Sequence, residues 1–167
     1  IACGSYADPT LRRVLTNFKY RSATCLVASW KEWLKHFRQN FLEPWPWAGL
    51  SSLTVTSIPA DASRTRERGM DHAALLARAV QQTLVPWASY EPLLKRQRSA
   101  LPNASLPSDA TRIANIREAF ASLQPITTPV LLIDDVLTTG ATACEAARVL
   151  LSSGAPAVHL FVLASGK

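Results

Sequence analysis

The most telling hydrophobic stretch in the chain is Val130-Leu131-Leu132-Ile133, an unbroken β-favouring run just after Pro129. Such a run predicts a strand buried on both faces of a parallel sheet. Elsewhere apolar residues recur at helical spacing. Asp8 followed by Pro9 reads as a helix start, with the acid as N-cap and the proline at the first helical position. Leu11, Val14, Leu15 and Phe18 then share one face. Leu26, Trp30, Trp33, Leu34 and Phe37 predict a second helix from about 23 to 39. The Glu-Pro-Trp-Pro-Trp-Ala-Gly stretch at 43–49 cannot continue it and marks a loop, after which 53–58 reads as a strand. Leu75, Leu76, Ala79 and Val80 predict a helix over 70–84, closed by Pro86. Residues 109–120 are expected to be helical at least in part, 143–151 a helix ended by Gly154, and 158–163 a last buried strand. Residues 85–108 hold four prolines and a basic run, and their pattern assigns no element. Strands alternating with helices predict an α/β fold, a parallel sheet flanked by helices. At 167 residues the chain is expected to form a single domain over 1–167 around one core.

The chemistry concentrates where the apolar run ends. Asp134 and Asp135 follow it directly, at the C-terminal edge of the predicted strand, the side on which ligands bind in open α/β sheets. Thr138, Thr139, Gly140, Ala141 and Thr142 carry no bulky side chain, so a phosphate can approach their backbone N–H groups and hydroxyls at the start of the next helix. Ionised carboxylates only accept hydrogen bonds and repel phosphate, so their natural partners are ribose hydroxyls or a metal ion. A Walker-type loop is excluded because no lysine lies between Pro125 and Gly166, and no Gly-x-Gly-x-x-Gly occurs. The plainer alternative is an ordinary strand and capped helix with the aspartates as turn residues.

Charge adds a preference for anions. Eighteen basic against twelve acidic residues give a formal charge of +6, which suits nucleic acid, polyphosphate or a diphosphorylated sugar. Cys3, Cys25 and Cys144 are odd in number and widely spaced, which predicts neither a disulfide framework nor a zinc site and points to the reducing cytoplasm. No apolar run approaches the roughly 20 residues that span a bilayer, and no leader pattern opens the sequence, so no membrane insertion is expected.

A second loop supplies cations. Ile58-Pro59 ends the predicted strand before a segment in which Arg64, Arg66 and Arg68 alternate just ahead of a helix. Guanidinium groups bind phosphate oxygens in pairs and keep their charge, so this loop can grip a diphosphate, although charge runs are more often solvated faces.

The segment 130–142 resembles the PRPP-binding motif of type I phosphoribosyltransferases. Tyr6 with Leu11 and Phe18-Lys19-Tyr20, Ile58-Pro59, Arg64-x-Arg66-Glu67-Arg68-Gly69, Arg96-x-Arg98, Arg112-x-x-Asn115-Ile116 and Ala119-Phe120 extend the likeness over nearly the whole chain to the ComF family of competence-associated, phosphoribosyltransferase-like proteins. That resemblance implies a type I phosphoribosyltransferase fold, PRPP as substrate or ligand with Mg²⁺, and a role in DNA uptake or nucleotide salvage. It implies Asp134 and Asp135 on the ribose hydroxyls, with Mg²⁺ held there directly or indirectly. Val136, Leu137, Thr138, Thr139, Gly140, Ala141 and Thr142 would surround the 5′-phosphate, and Arg64, Arg66 and Arg68 the pyrophosphate. The reaction class is pentosyl transfer, a glycosyltransferase chemistry; the alternative is a non-enzymatic factor that handles single-stranded DNA with PRPP as a regulatory or vestigial ligand. The resemblance also places the cysteine-rich zinc module of many members upstream of Ile1. The chain departs from the family at Asp71-His72, where Asn-Gln is common, and at Ser63, Ala100 and Asn103.

Other residues take plainer roles at this stage. His72 is expected to cap or pack, and His36 and His159 to be surface or core residues. Cys144 is expected to be a small buried residue. Trp30, Trp33 and Trp87 sit in apolar contexts that favour core, while Trp45 and Trp47 stay open between core and base stacking. Lys95-Arg96-x-Arg98 can reach a diphosphate or a nucleic-acid backbone, or form a solvated basic stretch.

Overall fold

A computed structural model describes residues 1–20, 24–40, 45–61, 65–66, 70–98 and 109–166. Helices α1 (Pro9–Tyr20) and α2 (Thr24–Asn40) precede strand β1 (Thr54–Ser57) and helix α3 (His72–Leu84). Short strands β2 (Ser89–Tyr90) and β3 (Leu94–Arg96) follow, then helix α4 (Asp109–Ile116) and strand β4 (Phe120–Ser122). The chain closes with β5 (Val130–Leu137), α5 (Ala141–Ser152) and β6 (Val158–Ser165). The main sheet is parallel throughout, in the order β2-β1-β5-β6, and β3 and β4 form a separate antiparallel ribbon.

Strand β5 organises the interior because its side chains alternate between two cores. Leu131 and Ile133 enter one, with Leu15, Leu34, Val80 and Phe161; Val130 and Leu132 enter the other, with Ile116, Phe120, Ala146 and Leu150. All four strand residues are fully buried, each contributing about 1.5 to 3 kcal/mol relative to exposure. Both faces of the strand are therefore covered, as the apolar run predicts.

Two departures from the sequence pattern shape the site. Strand β5 does not stop at Ile133: it pairs with β6 as far as Leu137↔Ser165, so Asp134 and Asp135 lie within it. On its other side the ladder ends at Ser57↔Ile133, with Ile58 donating its N–H to the Ile133 carbonyl at 3.1 Å. Pro59 has no N–H to continue the pairing, so β1 and β5 separate there. The second departure lies in 109–120, where α4 ends at Ile116 and Phe120 opens β4, paired with Arg96. Glu118, at φ 57°, is the left-handed turn between them. The remaining helices and strands fall within two residues of their expected ends, and 85–98 holds β2 and β3.

The tryptophans divide unexpectedly. Trp30 and Trp47 are buried and Trp33 and Trp45 pack against the same core, but Trp87 is 50% exposed, because it lies in the turn after α3 rather than on a helix face. His36, near Asn40, is exposed, and His159 is half-buried beside Trp47. Cys144 is also exposed, since α5 presents that position to solvent while Ala143 and Ala146 face the core. No described helix is long and apolar enough to cross a membrane.

Candidate functional site

In the sheet order, β1 runs to β2 on one side and is joined by β5 on the other, so the connections leave in opposite directions from the β1–β5 boundary. A crevice forms at the carboxyl ends of strands at such a reversal. Here it is a cavity of about 310 Å³, walled by Ile58 to Asp61 after β1, by Asp134 to Ala143 after Ile133, and by the start of α3.

The β5 side carries the anionic pair and the helix start. Asp134 and Asp135 are both half-buried, and the Asp134 Oδ1 accepts the Asp135 backbone N–H at 2.9 Å. Val136 to Thr142 all line the cavity. Val136 and Leu137 are still strand, Thr138 to Gly140 form the bend, and Ala141 and Thr142 are already the first turn of α5. Gly140 is the N-cap of that helix at φ 81°, a left-handed conformation that glycine adopts without strain. The helix therefore starts two residues earlier than its apolar period predicts. Its first N–H groups and the positive end of its dipole face the same space as the carboxylates.

A magnesium ion is compatible with this donor set. Among the described residues no three His, Cys, Asp or Glu side chains form a metal cage. Mg²⁺ is usually held by one or two carboxylates, with water and substrate phosphate oxygens completing its shell, and Asp134 and Asp135 are two carboxylates on one cavity wall.

Among the described residues, the cation in the cavity wall is Arg96. Of the three loop arginines, Arg64 and Arg68 lie outside the described residues; Arg66 is exposed and does not line the cavity, whereas its neighbour Thr65 does. Thr65 donates its N–H to the Asp61 carbonyl at 2.9 Å. Arg96 does line the cavity. Its guanidinium carbon lies 4.8 Å from the centre of the Phe120 ring, and its Nε donates to the Pro59 carbonyl at 3.3 Å. Antiparallel pairing of β3 with β4 sets Arg96 opposite Phe120, and the alternation of a strand sends Lys95 to the other face. Lys95 is exposed, and Arg98 Nη2 donates to the Arg117 carbonyl. The basic run thus has three destinations. Alternation was the available signal, but residues 85–108 gave no strand to apply it to.

Three further wall residues were not assigned to this site from sequence. Tyr6 reaches it because the N-terminal segment runs alongside β6, with Ala2↔Val162 and Ser5↔Ser165 bridges and Tyr6 N–H donating to the Ser165 carbonyl at 2.7 Å. Asp61 is buried at the end of the β1 loop. His72 is buried at the first position of α3 and lines the cavity. Its neighbour Asp71 is the N-cap of α3, accepting the Ala74 N–H at 3.1 Å. An acid at this position is thus accounted for as a helix cap, a role that asparagine fills equally well.

Solved structures that this chain is similar to in fold include two enzymes. Glutamine PRPP amidotransferase from B. subtilis, complexed with ADP and GMP, aligns with a TM-score of 0.51 at 17% identity, over 89% of this chain and 30% of that one. An allosteric regulatory enzyme of purine biosynthesis aligns with a TM-score of 0.50 at 18% identity, over the same shares. The chain has the type I phosphoribosyltransferase fold. Among curated proteins it is similar to DNA utilization protein YhgH of Escherichia coli (strain K12), 32% identical over 111 residues, which are 65% of this chain and 48% of that protein. The protein of the same name from Salmonella typhi is 31% identical over the same length. The chain spans about half the length of the curated relatives it matches. No protein-family model matches it.

Proposed function

We propose that this chain is a ComF-type domain that binds PRPP with Mg²⁺ in the cavity between β1 and β5, and that it serves DNA uptake or nucleotide salvage in the cytoplasm. The observation that carries this is the meeting, in one cavity, of Asp134 and Asp135 with the glycine-capped start of α5. In this reading the carboxylates accept hydrogen bonds from the ribose hydroxyls, and backbone N–H groups and hydroxyls from Thr138 to Thr142 hold the 5′-phosphate. Arg96 takes the diphosphate side, with Arg64, Arg66 and Arg68 approaching from the loop before α3. Bound Mg²⁺ neutralises diphosphate charge. The reaction this arrangement serves is displacement of pyrophosphate from C1 by a nitrogen nucleophile, with positive charge developing on the ribose ring near the carboxylates. The protein's part is positioning and electrostatic preorganisation.

A second reading, a DNA-handling factor for which PRPP is a regulatory ligand, is favoured by the name of the curated relatives. Calorimetry with Mg²⁺ and PRPP tests the common element of both. The parent should bind, and Asp134→Asn with Asp135→Asn should lose at least about tenfold in affinity, from charged hydrogen bonds of about 1.5 to 3 kcal/mol each. Equal affinity in parent and variant would remove the ribose assignment. Pyrophosphate release across a panel of nucleobases then separates transferase from regulatory binder.

A further inference from the structure

Along the carboxyl edge of the main sheet, the order β2-β1-β5-β6 continues into the N-terminal segment, which bridges β6 at Ala2↔Val162 and Ser5↔Ser165. Strand spacing puts β1 and that segment about 14 Å apart, with Asp134 and Asp135 on β5 between them. Backbone hydrogen bonds lock the far end. Gly166 N–H donates to the Leu137 carbonyl at 2.8 Å, Ser165 N–H to the Gly4 carbonyl at 2.9 Å, and Tyr6 N–H to the Ser165 carbonyl at 2.7 Å. Tyr6 therefore stands in the cavity wall on the side away from Pro59, whose carbonyl holds Arg96. It packs with Val136, another wall residue, against the same core, and both are half-buried. Arg12 is exposed, does not line the cavity, and lies over the Tyr6 ring at 5.5 Å. That cation meets the ring from outside the cavity and helps to fix its orientation.

Given PRPP bound as proposed above, the chemistry sets the direction from which an acceptor arrives. Its nitrogen lone pair forms the new bond to C1 from the side opposite the breaking C1–O bond. The electron pair of that bond leaves with the diphosphate, and the proton on nitrogen passes to solvent. With Arg96 and the loop after β1 taking the diphosphate, the acceptor comes from the β6 side. The wall there is an aromatic ring and a branched apolar side chain, which suit a flat ring system. Next to them on β5 are two carboxylates, which repel an anionic ring. We infer, resting on the PRPP reading, that Tyr6 and Val136 form the acceptor subsite and that the acceptor is a planar, uncharged nitrogen heterocycle.

Calorimetry with adenosine 5′-monophosphate and ribose 5-phosphate in parallel tests this, because the base on C1 is what the first adds to the second. The parent should bind the nucleotide about tenfold more tightly. Tyr6→Ala should remove that advantage and Tyr6→Phe should keep most of it, while ribose 5-phosphate binds both as it binds the parent. Tyr6→Leu keeps apolar packing without a ring, so it should lose the advantage too, and it decides the matter where the alanine variant fails to fold. Uridine 5′-monophosphate should bind the parent about tenfold more tightly than orotidine 5′-monophosphate, which adds a carboxylate to the same ring. A parent that binds neither PRPP nor ribose 5-phosphate would remove the sugar-phosphate reading and this subsite with it. A parent that binds ribose 5-phosphate but holds adenosine 5′-monophosphate no more tightly, or a Tyr6→Leu protein that keeps the full advantage, would overturn the acceptor subsite alone. Tighter binding of orotidine 5′-monophosphate would overturn the uncharged class of acceptor.

Discussion

The Glu145 carboxylate accepts the backbone N–H of Glu118 at 2.8 Å, which ties the helix following the Asp134–Gly140 segment to the left-handed turn in front of β4. Arg148, one turn along, holds both Glu145 oxygens, at 2.8 and 2.9 Å. Glu145 therefore fixes a turn whose Arg117 carbonyl takes Arg98 and whose following strand supports Arg96. It links the two walls of the cavity through contacts that all lie outside it.

This link predicts acid sensitivity. The Arg148 guanidinium, and then the Glu118 N–H, hold the Glu145 carboxyl below its ordinary value near 4.5 despite its burial. A depressed folded pKa means that the stabilisation is fully present above the ordinary value and is lost as pH falls below it. Glu145→Gln keeps an acceptor for Glu118 but loses the ion pair. It should lower stability at neutral pH by about 1 kcal/mol and flatten the acid limb of urea midpoints below about pH 4.5. An acid limb as steep as the parent's would show that Glu145 is not the group responsible.

Arg96→Ala should reduce PRPP affinity by about tenfold or more while barely changing affinity for ribose 5-phosphate, which lacks the diphosphate. Arg96→Lys should recover little, because a lysine cannot lie flat on Phe120 while donating to Pro59. Calorimetry with both ligands decides this. Equal losses for the two ligands would make Arg96 a structural element of the β3–β4 ribbon. Arg64→Ala with Arg66→Ala, measured in parallel, reports whether the loop before α3 shares the diphosphate.

Much of this site is legible in the chain because β5 is. Four consecutive apolar residues buried on both faces need no distant information, and the small residues after the aspartates announce a helix start. The strand's true end does not show, because Asp134 and Asp135 look like turn residues and only pairing with β6 keeps them extended. Arg96 and Tyr6 reach the cavity through partners distant in sequence, Phe120 and Ser165, that no local period reveals. Trp87 misled for the reverse reason: apolar neighbours in the chain were not its neighbours in space, and the turn after α3 leaves its ring half in water.

Asp71 should act through the helix it caps. Asp71→Asn preserves an acceptor for the Ala74 N–H and should change stability by no more than a few tenths of a kcal/mol, whereas Asp71→Ala should cost about 1 kcal/mol. Denaturant midpoints check the pair. If both substitutions cost the same, the charge at Asp71 matters beyond capping, and its place just ahead of His72 in the cavity wall becomes the reason to look for it.

Two left-handed glycines should separate folding from binding. Gly154, at φ 104°, has no room for a side chain, since a Cβ there would come within 2.6 Å of the Ile126 carbonyl oxygen. Gly154→Ala should therefore lower stability by more than about 1 kcal/mol and leave PRPP affinity of the folded protein unchanged. Gly140, at φ 81°, has open space: its nearest atom, a Leu137 methyl carbon, is 3.7 Å from the Cβ position. Gly140→Ala should cost only the backbone strain, about 1 to 2 kcal/mol. Relief of that strain rotates the bend that carries Thr139 and the first N–H groups of α5, so phosphate affinity should fall as well. Melting temperatures, with PRPP titrations well below them, give both numbers for each variant. A Gly140→Ala protein that melts early but binds PRPP normally would place the phosphate elsewhere than at the start of α5.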